Sequence, residues 1–292
     1  MKESNRSRLM MIVSMTIFGT LAPFVRRIGV TSGELALYRA LMAATLIGVF
    51  LLVTRQKIPF AAIKKEIPLL LLSGMAMGFN WILLFQAYKF TTVSVATLSY
   101  YFAPVIVTIL CPIIFRERLT RKQIICFVMS TLGLVLITGI GDLTGANSHL
   151  TGILFGLGAA SLYATVIMLN KFIKNVEGIH RTFLQFLAAI VVLVPYVALT
   201  SGFNLGVMDG AGWLCLLVVG FIHTGITYCL YFSSLKELPG QKAAILSYID
   251  PLVAVLVSVL FLRESMTWTQ IIGGILILGF TLWNEIAPAK KE

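Results

Sequence analysis

One stretch of this chain occurs twice. Residues 85–125 align without a gap on residues 232–272, at an offset of 147. Phe85 meets Phe232, Lys89 meets Lys236, Tyr101 meets Tyr248 and Pro104 meets Pro251. Arg116-Glu117 then meets Arg263-Glu264, and Thr120 and Gln123 meet Thr267 and Gln270. Apolar helices share leucines by chance, but not Tyr, Pro, Arg-Glu, Thr and Gln in one register. The chain is therefore two copies of one unit.

What the unit is follows from its apolar content. Of 292 residues, 58% are hydrophobic and 12% charged, against roughly 25% charged in a soluble domain. Apolar runs of about 20 residues recur, the length an α-helix needs to cross a bilayer. Ten spans are predicted: 9–26, 34–54, 67–88, 93–115, 122–140, 151–172, 180–200, 212–235, 242–262 and 268–286. Period-two alternation, the mark of a membrane barrel, is absent. The expected fold is an all-α membrane protein with ten transmembrane helices, arranged as two inverted five-helix repeats.

The net charge of +11 is accounted for by topology. With the amino terminus inside, 18 of the 23 Lys and Arg fall on the cytoplasmic side. Arg26, Arg27, Lys89 and Arg263 fall outside, and Arg39 lies within a span. That bias predicts both termini in the cytoplasm and removes the reason to expect nucleic acid. Lys2, Arg6 and Arg8 before an apolar run resemble a signal peptide, but the reading is an uncleaved first helix. Cys111, Cys126, Cys215 and Cys229 all fall in spans without metal-ligand spacing, so they read as buried apolar-like residues.

The polar segment Gly141–Leu150 lies near the midpoint. The expected division is a first repeat at 1–141, a linker at 142–150 and a second repeat at 151–292. Five helices per unit is an odd number, so the second unit enters the membrane from the opposite side. Inverted repeats of this kind belong to secondary transporters, with the substrate site near the midplane between the units. Gly74-x-x-x-Gly78 and Gly152-x-x-x-Gly156 are small-xxx-small pairs suited to close helix approach. Pro104 and Pro251 sit near the centres of spans four and nine. Each frees a backbone carbonyl, which a bilayer tolerates where helices meet or a cavity opens.

The stretch Gly220–Glu264, with its weaker partner 85–117, resembles the ten-helix EamA-type branch of the drug/metabolite transporter superfamily. The residues that carry this are His223-Thr224, Tyr231-Phe232, Leu235-Lys236, Asp250-Pro251 and the Arg263-Glu264 turn. The first unit has Ala103-Pro104 in place of Asp-Pro, and Phe18-Gly19 stands where many members have Trp-Gly. The resemblance implies a cell-membrane carrier of small amphipathic metabolites, often exporting amino acids, working by alternating access without ATP hydrolysis. Independently, the chain has no Gly-x-x-x-x-Gly-Lys phosphate loop, and no cofactor or metal is expected.

A charge near the bilayer centre costs at least ~2.5–3.5 kcal/mol, so each one needs a partner or a wet cavity. Asp250, about eight residues into span nine, could hold a substrate ammonium or exchange a proton; its plain alternative is capping freed backbone donors. His223 is central in span eight, and its ordinary pKa near 6.5 suits proton coupling, set against a histidine hydrogen-bonded between helices. Arg39, about 9 Å into span two, is read as snorkelling to the outer surface in preference to binding a substrate carboxylate. Asn80, Trp81, Tyr100, Tyr101, Tyr163 and Tyr248 sit near span centres and could line a cavity for an amphipathic substrate. The predicted substrate-binding set is Asn80, Trp81, Tyr101, Tyr163, His223, Tyr248 and Asp250. Glu117 and Glu264 read as structural turn residues paired with neighbouring arginines.

Among rival functions, a channel would need a continuous polar lining or a charged ring. An intramembrane enzyme would need clustered nucleophile, base or ligands, whereas His149, His180 and His223 are scattered. A nucleotide-sugar carrier should have several basic cavity groups, and Arg39 alone is placed for that. The expected function is outward transport of amino acids or related amines, with proton coupling and a monomer or homodimer both left open.

Overall fold

The structure is a computed structural model that describes residues 5–56, 58, 63–115, 119–138, 148–176, 178–235, 237–238 and 240–286. Glu117, its partner Arg116 and most of the 142–150 linker lie outside the described residues. The described chain is helical throughout. α1 (Asn5–Gly19) continues after a break into α2 (Leu21–Arg27), followed by α3 (Ser32–Val53) and α4 (Ile67–Phe90). α5 (Val93–Tyr100), α6 (Ala103–Phe115) and α7 (Arg121–Thr138) end the first half. α8 (Ser148–Asn170), α9 (Gly178–Thr200), α10 (Gly210–Leu217), α11 (Thr227–Leu235), α12 (Gly240–Ser247), α13 (Ile249–Leu260) and α14 (Trp268–Ile286) form the second. Val218–Ile226, between α10 and α11, is wound as π-helix.

Helix falls on each of the ten predicted spans. Among the described residues, seven helices are long and apolar enough to cross a membrane, and Ile245–Leu260 and Trp268–Asn284 are shorter apolar helices. Span nine contributes only a shorter helix because it is broken between α12 and α13. Large apolar side chains such as Leu52, Leu199, Leu256 and Ile275 are more than half exposed. In water they would form an aggregation surface; around this bundle they meet lipid.

Why the helices approach so closely is written in the glycines. A Cβ on Gly74 would lie 2.5 Å from Ala188 Cβ, and one on Gly78 would lie 3.2 Å from Leu193. The small pair in α4 therefore seats α9. Gly220 and Gly225 seat α3 in the same way, against Met42 and Leu46. Gly133 and Gly273 face one another where α7 crosses α14: a Cβ added to either would lie 2.5–2.6 Å from the other's carbonyl oxygen. α4 packs on α8 and α9, α1 on α11 and α13, and α3 on α9 and the π-helical turns. α5 packs on both α8 and α13.

The breaks come where the prolines put them. α5 stops at Tyr100 and α6 starts at Ala103, just before Pro104; α12 stops at Ser247 and α13 starts at Ile249, two residues before Pro251. A proline in the first turn of the following helix removes a donor that the preceding turn would have used. α1 and α2 part at Thr20 in the same way, with Pro23 in the first turn of α2. Gly19 lies in backbone contact with the break before α13: a Cβ there would be 2.6 Å from Asp250 O and 2.6 Å from Val253 Cβ. Broken helices thus converge on Asp250.

Candidate functional site

Asp250 sits in the first turn of α13. A helix N-terminus carries the positive end of the backbone dipole, which favours a carboxylate there. Its Oδ2 accepts a hydrogen bond of 2.7 Å from the Tyr101 hydroxyl, which is presented by the break between α5 and α6. The two proline breaks therefore place one polar group from each half of the chain against the other. Tyr100 packs edge-on against Tyr101 at 5.9 Å and on Tyr163 at 5.5 Å. Tyr163 is 40% exposed.

A second aromatic series leads to a second charge. Phe232 and Tyr228 are 6.0 Å apart between ring centroids, Tyr228 and Phe186 5.4 Å, and Phe186 and Trp81 5.3 Å. Over Trp81, at 4.6 Å, lies the guanidinium of Arg39, with the Phe85 ring at 5.6 Å. Arg39 Nε donates to Thr224 Oγ1 at 2.7 Å. Arg39 is 4% exposed, which overturns the snorkelling expected from sequence. The cause is the continuous burial of 32–40, where α3 is enclosed by α9, α4 and the π-helical turns. No route to the surface remains. A desolvated cation over Trp gains about 2 kcal/mol, which offsets part of the cost of holding it there.

The π-helical turns explain how Thr224 reaches Arg39. Thr224 Oγ1 donates to Val219 O and Thr227 Oγ1 to Ile222 O, both five residues back, while His223 Nδ1 faces Val218 O at 3.3 Å. These side chains bond to carbonyls one position further back than an α-helix would offer, and π turns of this sort gather at functional sites. His223 is 2% exposed, with Nε2 3.1 Å from Thr20 Oγ1 and its ring 4.9 Å from Phe24. It bridges the π-helical turns to the α1–α2 break, at Thr20 beside Gly19, and is next in sequence to Thr224.

The remaining sequence candidates separate. Trp81 is the floor beneath Arg39. Asn80 Nδ2 donates to Ala159 O at 2.6 Å and ties α4 to α8, so its donor is used in packing. Tyr248 is 8% exposed at the α12–α13 break, in the position equivalent to Tyr101. Tyr101, Tyr163 and Asp250 come together, and Trp81 joins Arg39, Phe186 and Tyr228. Sequence reasoning missed Phe186 and Tyr228, although both lie at the repeat offset from Arg39 and Trp81.

The two ends of the bundle differ. Between the ends of α3, α9 and α11 is a cavity of about 430 Å³, lined by Phe50, Gln56, Ile179, Arg181, Phe232 and neighbouring residues. Phe232 is thus both its wall and the first ring leading inward. Arg39 lies eleven residues along α3 from Phe50, about 16 Å deeper. The opposite end is tied shut. Glu264 accepts from Arg26, from Ser258 Oγ and from Val93 N–H, while Arg26 also donates to Tyr88 O and Thr91 O. Glu264 is structural as expected, but its arginine is Arg26, far off in sequence, and not its neighbour Arg263. Alongside, Arg27 pairs with Asp209. The Gly212 N–H and then Arg27 hold the Asp209 carboxyl below its ordinary range.

Interrupted helices meeting around buried charges, inside an apolar bundle with one end open and one latched, define a multi-pass membrane protein of the solute-carrying class. The EamA-like transporter family model matches residues 6–139 and again residues 150–284, and the chain belongs to that family: it is a transporter and not an enzyme. Among its relatives, "Uncharacterized transporter YxxF" of Bacillus subtilis (strain 168) is 30% identical over 94% of this chain and 88% of its own length. A "Probable amino-acid metabolite efflux pump" of Salmonella typhimurium is 28% identical over 78% of this chain and 80% of its own. A solved crystal structure shares the fold, with TM-score 0.62 and 18% identity, covering 96% of each chain.

Proposed function

We propose that this protein is a secondary transporter exporting small amphipathic metabolites, amino acids or related amines foremost, by alternating access between two five-helix units of opposite orientation. Residues 1–141 and 151–292 are the units, 142–150 the linker, and both termini are cytoplasmic. Contacts that recur at the repeat offset support the architecture. Gly78 seats Leu193, and Gly225 seats Leu46; Gly78 corresponds to Gly225 and Leu46 to Leu193 at 147. Helix pairings recur likewise, α4 with α8 as α11 with α1, α5 with α8 as α12 with α1, and α6 with α8 as α13 with α1. The excess of Lys and Arg at the open end supports its cytoplasmic assignment.

The observation that carries the functional reading is the Tyr101–Asp250 hydrogen bond across the seam. It joins the breaks of two helices that belong to different units, so a substrate or proton that engages Asp250 acts on the contact between the units. The printed name of the Salmonella relative supports amino acids as cargo. Proteoliposomes test this directly. Saturable uptake of labelled amino acids in exchange for internal ones is expected, and Asp250→Asn should abolish it with the thermal stability of the purified protein retained. Conductance that rises linearly without saturation would replace the carrier with a channel.

A further inference from the structure

The cavity at the open end has a counterpart at the latched end, and the counterpart is filled. Ile179, Arg181, Phe232 and Ser233 line the cavity, and at the repeat offset they correspond to Ser32, Glu34, Phe85 and Gln86. Ser32 Oγ donates to Gln86 Oε1 at 2.7 Å, which holds the start of α3 against α4. Phe85 and Glu34 are both 0% exposed, and Glu34 accepts from the N–H groups of Thr31 and Asn204. At the open end Phe232 is only half-buried, and the cavity of about 430 Å³ lies between α9 and α11. Equivalent residues thus occur in one structure both packed together and parted.

The parted set has the makings of a ligand site. Its volume suits a small organic molecule. Phe50, Ile179 and Phe232 give it apolar walls, while Gln56, His180 and Arg181 supply polar groups. No acidic side chain among the described residues lines it. Arg181 is positioned by a hydrogen bond from Nη1 to Asn170 O at 3.3 Å. The Asn170 side chain is held in turn by Gln185 Nε2 at 2.8 Å. An arginine steadied beside aromatic and aliphatic walls favours a carboxylate, sulfonate or phosphate joined to an apolar body. The sealed end carries Glu34 where this end carries Arg181, so the preference for an anion belongs to the open mouth alone.

We propose that this mouth is a binding site for an amphipathic organic anion, separate from the seam, and that its occupant holds the protein open to the cytoplasm. The anionic group lies against Arg181, and the apolar body lies between Phe50 and Phe232. For this end to close as the latched end is closed, Ile179 must meet Ser233 and Phe232 must be buried, which abolishes the space. A ligand of the mouth therefore binds one state and not the other, and by mass action it withdraws the carrier from its cycle. At ten times its Kd it leaves about a tenth of the inward-open molecules free. Arg39 lies about 16 Å from Phe50 along α3, so the seam is left to the cargo. The effect on transport rests on the alternating-access reading; the site itself does not.

The probes are 2-naphthoate and its neutral isostere 2-naphthamide. Binding is read on the purified protein by thermal shift, and by protection of Ser233→Cys from a maleimide followed by mass spectrometry. Function is read as amino-acid exchange in proteoliposomes. Naphthoate is expected to raise the thermal midpoint and to slow labelling of Ser233→Cys at least about fivefold. At ten times its Kd it should cut exchange about tenfold. Naphthamide should need at least about a tenfold higher concentration for each effect, and Arg181→Gln should weaken naphthoate by a similar factor. If Arg181→Gln does not fold, the comparison of the two probes on the unaltered protein decides. Absence of binding, equal affinity for the two probes, or an unchanged Kd in folded Arg181→Gln overturns the anion site. Naphthoate bound with exchange undiminished, or labelled naphthoate itself carried across, overturns the claim that the occupant holds the mouth open. Arg181-dependent binding to a protein that exchanges no metabolite would sink the transport reading and leave the site standing.

Discussion

Replacing Gly19 with alanine adds one methyl group at the most crowded point of the bundle. The new Cβ would meet Asp250 O at 2.6 Å, Val253 Cβ at 2.6 Å and Val253 Cγ1 at 2.8 Å. Carbon atoms prefer separations of about 3.5–4.0 Å, so α1 and α13 must part by roughly 1 Å. One of the three obstacles is backbone, and the others lie at the stiff root of a β-branched side chain, so no rotamer change relieves the clash. Overpacking of this kind costs about 1–3 kcal/mol, equivalent to a fall of roughly 2–6 °C in the thermal midpoint for a chain of this size. The functional effect should be larger, because the displaced backbone carries Asp250. A misplacement of about 1 Å in a reacting site can cost on the order of 100-fold. Gly279→Ala is the control: a Cβ there meets nothing within 4 Å. Thermal unfolding in detergent, followed by amino-acid flux in proteoliposomes, should show Gly19→Ala impaired in both and Gly279→Ala in neither. Unchanged stability and flux in Gly19→Ala would refute the claim that this crossing sets the position of Asp250.

Tyr101→Phe removes the hydroxyl on Asp250 at no cost in volume; interhelical hydrogen bonds in membranes are worth about 0.6–1.7 kcal/mol, so substrate affinity should fall roughly three- to twentyfold, as read by competition for flux. Glu264→Gln weakens the links from Glu264 to Arg26, Ser258 and Val93 at the latched end, and cysteine labelling at that end should accelerate while stability drops by a few degrees. His223→Gln is expected to flatten the pH profile of flux more than it weakens binding; an unchanged profile would leave the ring as a strut between Thr20 and Val218. Because folding lowers the Asp209 pKa, its contribution is complete at neutral pH and fades as pH falls through the carboxylate range. The stability difference between Asp209→Asn and the unaltered protein should therefore shrink on acidification, as measured by thermal unfolding from pH 7 to pH 3.

How far the sequence could be read depends on what each residue was asked to reveal. The helices were legible because bilayer thickness fixes their length, and the breaks because proline lacks a donor. Asp250 and Trp81 stood out as costly polar or amphipathic groups at depth. Arg39 was misjudged because depth along a helix is readable and direction around it is not: about 9 Å from the surface permits snorkelling, but α3 turns that face into its neighbours. Glu264 was paired with the arginine beside it in sequence, whereas the fold brings Arg26 to it from the far end of the first span. His223 and Asn80 carried the right chemistry for a cavity, yet their partners, Thr20, Val218 and Ala159, are visible only once the helices are packed.

The wide turns at Val218–Ile226 divide one membrane crossing into two shafts with separate bearings, α10 running against α2 and α11 against α1. Each π turn amounts to a residue inserted into an otherwise regular helix, and everything beyond it is rotated by about 100°. Deleting one residue there would tighten the coil and swing Tyr228 and Phe232 towards lipid, dismantling the inward path without touching either charge. The surplus residue works as a cam: it lets the half that borders the open mouth be aimed independently of the half that borders the latch.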